Sequence, residues 1–209
     1  MHTVMRACGF LPVGEGSPGV FYHPTYGAEM VVYVDDFILV SPEKHESAIW
    51  KALDKHIQFK DPAAPVTRFL GVNHEFKILP DGTCQMLTEG KEYLLAAADE
   101  HMREIKVKSL KWVPSPFIDD KFYQSSAKRG EQADSALSHL MKILYMGRLC
   151  RGDVLTTTTF LARRVHFWSV NEDRRLLRLM SYIHHHADKC LLHQLHPAYK
   201  EGAFLDFFP

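Results

Sequence analysis

The chain has 209 residues and a mass of 24.0 kDa, with 46% apolar and 24% charged side chains, which is the composition of a folded globular protein rather than an extended disordered one. No apolar run approaches the roughly 20 residues that cross a bilayer, and residues 1–8 lack the basic-then-apolar order of a signal peptide. Lys+Arg and Asp+Glu number 25 each, and the four cysteines are scattered with no C-x-x-C pair, which argues against a disulfide scaffold or a cysteine-rich zinc site and makes a reducing compartment the default.

Taken in chain order, residues 1–9 read as the end of a helix stopped by Gly9, followed by a Gly- and Pro-dense loop over 11–19. Residues 20–23, 29–33 and 37–40 read as strands, the last apolar enough to suggest burial on both faces. Ser41-Pro42-Glu43 opens a helix with Ser41 as N-cap, and Ala48, Ile49, Ala52, Leu53, His56 and Ile57 form its apolar stripe. A single strand is expected over 68–76. A hairpin follows at Asp81-Gly82, with a return strand over 84–87 and a helix capped by Thr88. Residues 103–130 are basic, Pro-punctuated and aperiodic, so a linker is expected there. Three helices follow over 135–149, 153–168 and 171–186, the last capped by Asn171, and then a short strand over 190–195.

The zero net charge hides an asymmetry. Residues 1–100 hold 8 Lys and Arg against 14 Asp and Glu, whereas 101–209 hold 17 against 11, with eight of the 13 histidines. A polyanion prefers the second half; solvated helix faces also account for such a bias.

The most informative segment is Tyr33-Val34-Asp35-Asp36 between two apolar β segments. Asp is a poor strand former, and charge beside an apolar core is costly. A tight hairpin that lifts both carboxylates to a cleft floor lets a hard cation such as magnesium pair with them. An ordinary Asp-containing turn satisfies the same pattern.

Further matches favour the first reading. The string Tyr33-Val34-Asp35-Asp36-Phe37-Ile38-Leu39-Val40 resembles the Tyr-x-Asp-Asp signature of copia-type retrotransposon reverse transcriptases. Phe69-Leu70-Gly71-Val72 is similar to the Phe-Leu-Gly-Ile segment that follows in that family, and Thr88 to Tyr93 falls at its Gln-x-x-Tyr helix start. Tyr145, Arg151-Gly152-Asp153-Val154 and Leu161-Ala162-Arg163 resemble the connection region, with Gly152 in place of the family's Pro. These matches run in the family's order over nearly the whole chain.

The resemblance implies an α+β fold: the C-terminal part of a polymerase palm over 1–103, a basic linker over 104–130, and a helical connection region over 131–209 leading toward a ribonuclease H domain. It implies RNA-directed DNA synthesis by two-metal nucleotidyl transfer, with magnesium as cofactor. Asp35 is the stronger ligand, Asp36 the assisting carboxylate, and Tyr33 lies beside the primer terminus or incoming nucleotide. The partners implied are an RNA template, a DNA primer and the rest of a Pol polyprotein, with no membrane. The family also uses an upstream catalytic Asp and a fingers region, for which residues 1–29 offer only Glu15 and Glu29, so this fragment is expected to bind magnesium weakly and to be inactive alone. The competing reading is a non-enzymatic, nucleic-acid-binding remnant of a retroelement that uses its basic half.

Other clusters carry two readings each. His184-His185-His186 suggests either zinc ligands or a polar helix end, and adjacent helical side chains point about 100° apart. Arg163-Arg164 and Arg174-Arg175-Arg178 suit either a nucleic-acid backbone or a solvated helix face. The segment 204–209 resembles the approach to a ribonuclease H strand.

Overall fold

The alternating patterns near the N-terminus become antiparallel hairpins in the computed structural model, which describes residues 1–119, 121 and 128–197. Among these residues the fold is α+β, with six α-helices and two antiparallel four-stranded sheets. The chain divides into two compact units, Met1–Val66 and one that begins at Thr67.

In the first unit, α1 (His2–Ala7) leads into β1 (Leu11–Pro12), β2 (Val20–His23), β3 (Ala28–Tyr33), β4 (Asp36–Val40) and α2 (Glu43–Leu53). The strands lie in sequence order, as hairpins joined by short turns require. Gly9 ends α1 at φ +88°, and a Cβ there would stand 2.5 Å from His23 Nε2, so glycine is needed for conformation and for space. Phe21 pairs with Met30 and Met30 with Leu39, which puts these side chains on one sheet face. That face packs with Met5, Phe10, Ile49 and Leu53 into a core. Each such fully buried side chain contributes about 1.5–3 kcal/mol.

Two expectations change here. β4 is an edge strand whose central residues are only half-buried, because its second face is the outer face of the sheet. The α2 N-cap is Pro42 rather than Ser41, and no side chain caps the helix.

The second unit contains β5 (Arg68–Phe69), β6 (Val72–Ile78), β7 (Cys84–Glu89), α3 (Lys91–Glu104), α4 (Ala136–Leu149), α5 (Gly152–Ala162), a 3-10 turn (Val165–Phe167), α6 (Val170–His185) and β8 (Leu191–Leu195). The expected single strand over 68–76 is a hairpin. Phe69 pairs with Val72 across Leu70 and Gly71, whose φ angles of +50° and +78° are those of a type I′ turn. The Asp81-Gly82 hairpin forms as expected, with Asp81 Oδ1 accepting the Thr83 N–H at 2.9 Å.

Thr88 is not a helix cap. It lies buried in β7, its hydroxyl 3.2 Å from His74 Nδ1, and α3 starts after Gly90. The α6 cap is Ser169 rather than Asn171. Ser169 Oγ accepts the Asn171 N–H, and Glu172 reaches back to the Ser169 N–H at 3.0 Å.

The helices from α4 onward do not cluster alone. Leu94 and Ala98 of α3, and Val72 of β6, share one core with Leu140, Ile143, Met146, Leu161, Leu176 and Ile183. Within the segment read as a linker, Leu110 is buried in that core, and the Leu110 and Val113 carbonyls accept from His185 and His186.

Candidate functional site

The Tyr33–Asp36 hairpin is fixed by the pairing of β3 with β4 rather than by turn chemistry. Tyr33 pairs with Asp36, which leaves Val34 and Asp35 as a two-residue turn. Only Val34 has positive φ, +54°, the pattern of a type II′ turn, whose first central position favours glycine. Tyr33 and Val34 are 56% and 75% exposed, and both aspartates are exposed.

Register decides which way the site faces. Met30, Val32, Phe37 and Leu39 point to the core. Glu29, Val31 and Tyr33, with their partners Val40, Ile38 and Asp36, therefore lie on the outer face. Tyr33 and Asp36 stand side by side there, at one end of a face that also carries Val31, Ile38 and Val40, and Asp35 occupies the tip. Among the described residues, no hydrogen bond or ion pair engages either carboxylate side chain. Adjacent oxygen ligands without a protein counter-charge suit a hard divalent cation.

The outer face holds one further carboxylate, Glu29, as the alternation of a strand over 29–33 requires. It lies in β3 on the same face as Tyr33. Four residues separate them, about 13 Å at strand spacing, too far to share an ion with Asp36. Among the described residues, no three His, Cys, Asp or Glu side chains converge as metal ligands.

The other sequence candidates serve mainly structural ends. His185 Nε2 and His186 Nε2 donate to the Leu110 and Val113 carbonyls at 2.9 and 3.0 Å, so the histidine run fastens a loop to the end of α6. Arg175 is internal: it is buried and bonds Glu172 at 2.8 Å. Arg164 lies over the Phe160 ring at 3.8 Å, while Arg163 and Arg174 are exposed. Burial pushes the Cys150 thiol up to about 11, which leaves it protonated and unreactive at neutral pH.

The Arg151–Asp153 segment forms a polar lock. Arg151 is 1% exposed and bonds Asp153 twice, at 2.8 and 3.0 Å. Asp153 Oδ2 also accepts the Tyr182 hydroxyl at 2.8 Å, tying the start of α5 to α6. Burial raises the Asp153 carboxyl, but the Arg151 guanidinium and the Tyr182 hydroxyl outweigh it and hold the group below the usual carboxylate range. The expected strand approaching a ribonuclease H domain, 204–209, lies outside the described residues.

No helix among the described residues is long and apolar enough to cross a membrane. No protein-family model, curated protein or solved structure matches the chain.

Proposed function

We propose that the chain carries the catalytic hairpin and connection region of a copia-type reverse transcriptase. In this reading Asp35 is the magnesium ligand, Asp36 the assisting carboxylate, and Tyr33 the residue beside the primer terminus or incoming nucleotide. The observation that carries it is one tight hairpin that sets Tyr33 and Asp36 side by side on the sheet face turned away from the core and Asp35 at its tip, with no protein cation engaging either carboxylate among the described residues. Bound divalent ions supply charge stabilisation to an in-line nucleotidyl transfer. The residues themselves offer hard oxygen atoms, and the outer face beside them offers aliphatic surface from Val31 and Ile38 for a nucleic-acid end to lie against.

Residues 1–209 by themselves are not expected to extend a primer. Two carboxylates at the hairpin, with Glu29 about 13 Å away, do not make the shared ligand set of a two-ion site. Misplaced reactants also forfeit orientation worth about 7–11 kcal/mol. Manganese titration followed by NMR tests the reading. Broadening should begin at residues 33–37 at millimolar metal and vanish in Asp35→Asn, Asp36→Asn. No broadening there by about ten millimolar would overturn the ligand assignment. Magnesium-dependent primer extension, lost in the double variant, would overturn the expected inactivity.

The second reading, nucleic-acid binding without catalysis, is favoured by exposed cations in the second unit, among them Lys106, Lys108, Lys111, Arg148 and Arg174. Salt-dependent RNA binding without metal broadening at the hairpin would select it.

A further inference from the structure

In the second unit, residues 105–118 dock on the C-terminal half of α6 and carry an exposed tryptophan. Leu110 is buried in the core. His185 Nε2 donates to the Leu110 carbonyl at 2.9 Å and His186 Nε2 to the Val113 carbonyl at 3.0 Å. Arg178 Nη2 donates to Ser115 Oγ at 3.2 Å, and Phe117 meets the Phe160 ring edge-on at 5.1 Å. Trp112 stands between these anchors, yet it is 61% exposed, its ring centroid 6.0 Å from that of His186. The other two tryptophans differ: Trp168 is buried in one core and Trp50 packs against the other.

A large aromatic ring kept in water on a backbone tied down at either side adds little to the core. It also has little freedom left to lose on binding.

The two pieces that meet here hold no carboxylate. Residues 105–118 carry Lys106, Lys108 and Lys111, and residues 174–187 carry Arg174, Arg175, Arg178 and the three histidines, with no Asp or Glu in either stretch. Three of these cations are balanced from outside: Arg175 bonds Glu172, and Lys106 and Arg174 share a cleft with Glu104, Glu131 and Asp173. The remaining three are not. Among the described residues Lys108 and Lys111 have no hydrogen bond or ion pair, and Arg178 has only the Ser115 hydroxyl. The carboxylates that border the two stretches are engaged elsewhere, Glu104 with Ser135 and His139, Asp119 with Lys121, and Asp188 with Lys91. Lys111 adjoins Trp112, while Lys108 and Ser115 lie four residues before and three after it, at most about 14 Å of extended chain away. Uncompensated positive charge therefore stands on both sides of the exposed ring.

From this arrangement we infer that residues 108–115 bind single-stranded nucleic acid. Trp112 stacks on an unpaired base, Lys108 and Lys111 meet the flanking phosphates, and Arg178 adds to the positive field. An acidic peptide satisfies the cations and leaves the ring unused, and a duplex hides its base faces, so ring and charge together select a single strand. This assignment rests on the nucleic-acid partner common to both readings above, and it adds where, and in which form, the strand is held.

The test is fluorescence anisotropy of the full chain with labelled 15-mers of oligo(U) and oligo(dT), and a duplex of equal length, across 50–200 mM salt. Trp112→Ala should weaken single-strand binding about 10-fold at every salt concentration without changing the salt slope. Saturating oligo(dT) should quench the parent's tryptophan emission. Trp112→Phe, which keeps Trp50 and Trp168, should still bind but lose that quenching. Lys108→Ala with Lys111→Ala should flatten the slope of log K against log salt by about 1.4, at about 0.7 for each phosphate no longer neutralised. Asp35→Asn, Asp36→Asn should leave these affinities unchanged, so failure of the hairpin reading in the manganese experiment leaves this result intact. Binding of neither 15-mer overturns this assignment together with the nucleic-acid partner it rests on. Parent-like binding by Trp112→Ala, or quenching that survives in Trp112→Phe, overturns the assignment alone. It is also overturned if Trp112→Ala loses duplex affinity to the same extent, or if poly-glutamate displaces labelled oligo(dT) as readily as unlabelled oligo(dT) does.

Discussion

The Arg151–Asp153 pair gives the sharpest energetic prediction, because its two partners are unequally buried. Arg151 is 1% exposed at the side chain and Asp153 31%. Removing Asp153 strands a guanidinium that already has one nitrogen, Nη1, without a partner. Breaking a buried pair from that side costs about 3–5 kcal/mol. Arg151→Met keeps most of the volume and leaves Asp153 with the Tyr182 hydroxyl, Lys189 at 3.9 Å and some solvent. The loss is then that of hydrogen bonds to a charged group, about 1.5–3 kcal/mol.

The assay is urea unfolding with linear extrapolation. At a slope of about 2 kcal/mol/M, Asp153→Ala should lower the midpoint by about 1.5–2.5 M. Adding Arg151→Met to Asp153→Ala should restore part of that loss, since the stranded charge is gone. The pH dependence follows from the depressed Asp153 carboxyl. Its folded value lies below its unfolded one, so the contribution is fully present above about pH 4 and is lost as pH falls through the folded value. Asp153→Asn should flatten that acid limb. A double variant no more stable than Asp153→Ala alone would refute the stranded-charge argument.

Val34→Gly should raise stability by about 1 kcal/mol, measured by thermal unfolding. A β-branched residue at φ +54° is strained, and glycine adopts that conformation freely; no gain would mean that the turn relaxes in solution. His101 should make the second unit acid-sensitive. It is fully buried in α3, bonds Gln132 Oε1 at 2.5 Å and stacks edge-on against His139. Burial lowers its pKa more than Gln132, Glu104 and Asp173 raise it, with His139 adding to the lowering. The unfolded chain therefore takes the proton first, and stability should fall as pH drops below about 6.5. His101→Asn should flatten the urea midpoint between pH 7.5 and 5.5, and an unchanged slope would show that another group titrates there.

Much of the chain was legible because its signals are local. Asp81-Gly82 carries its own turn chemistry, and the stripes of α4 and α6 are long enough to fix the helices within a residue or two. Leu70-Gly71 was not legible, since leucine is no turn former and the apolar run through it reads as one strand. Only the pairing of Phe69 with Val72 places it at positive φ. The α6 cap could have been found, because Ser169 and Glu172 have capping-box spacing. Asn171, a good cap by type, drew the boundary two residues late. Arg151 and Asp153 look like two surface charges, and nothing in a single sequence shows that a guanidinium is buried. Phe167 has the opposite problem: it continues an apolar helix pattern and ends in water.

The same distinction bears on the hairpin. Its aspartates are exposed, form no ion pair among the described residues, and belong to neither hydrophobic core. Substituting them should therefore change stability by no more than about 0.5 kcal/mol. Folding gives no reason for two adjacent carboxylates there, where their mutual repulsion is mildly unfavourable. Folding also gives no reason for valine, rather than glycine or asparagine, at the strained first position of the turn. Local costs without a packing return are consistent with the proposed metal-binding role of the hairpin. The two effects can be separated: Val34→Gly should stabilise the hairpin yet loosen the Tyr33 and Asp36 side chains. If Asp35 and Asp36 act on a metal, the stabilised variant should bind manganese more weakly than the parent. Equal or tighter binding would show that the strain at Val34 serves no purpose at the carboxylates.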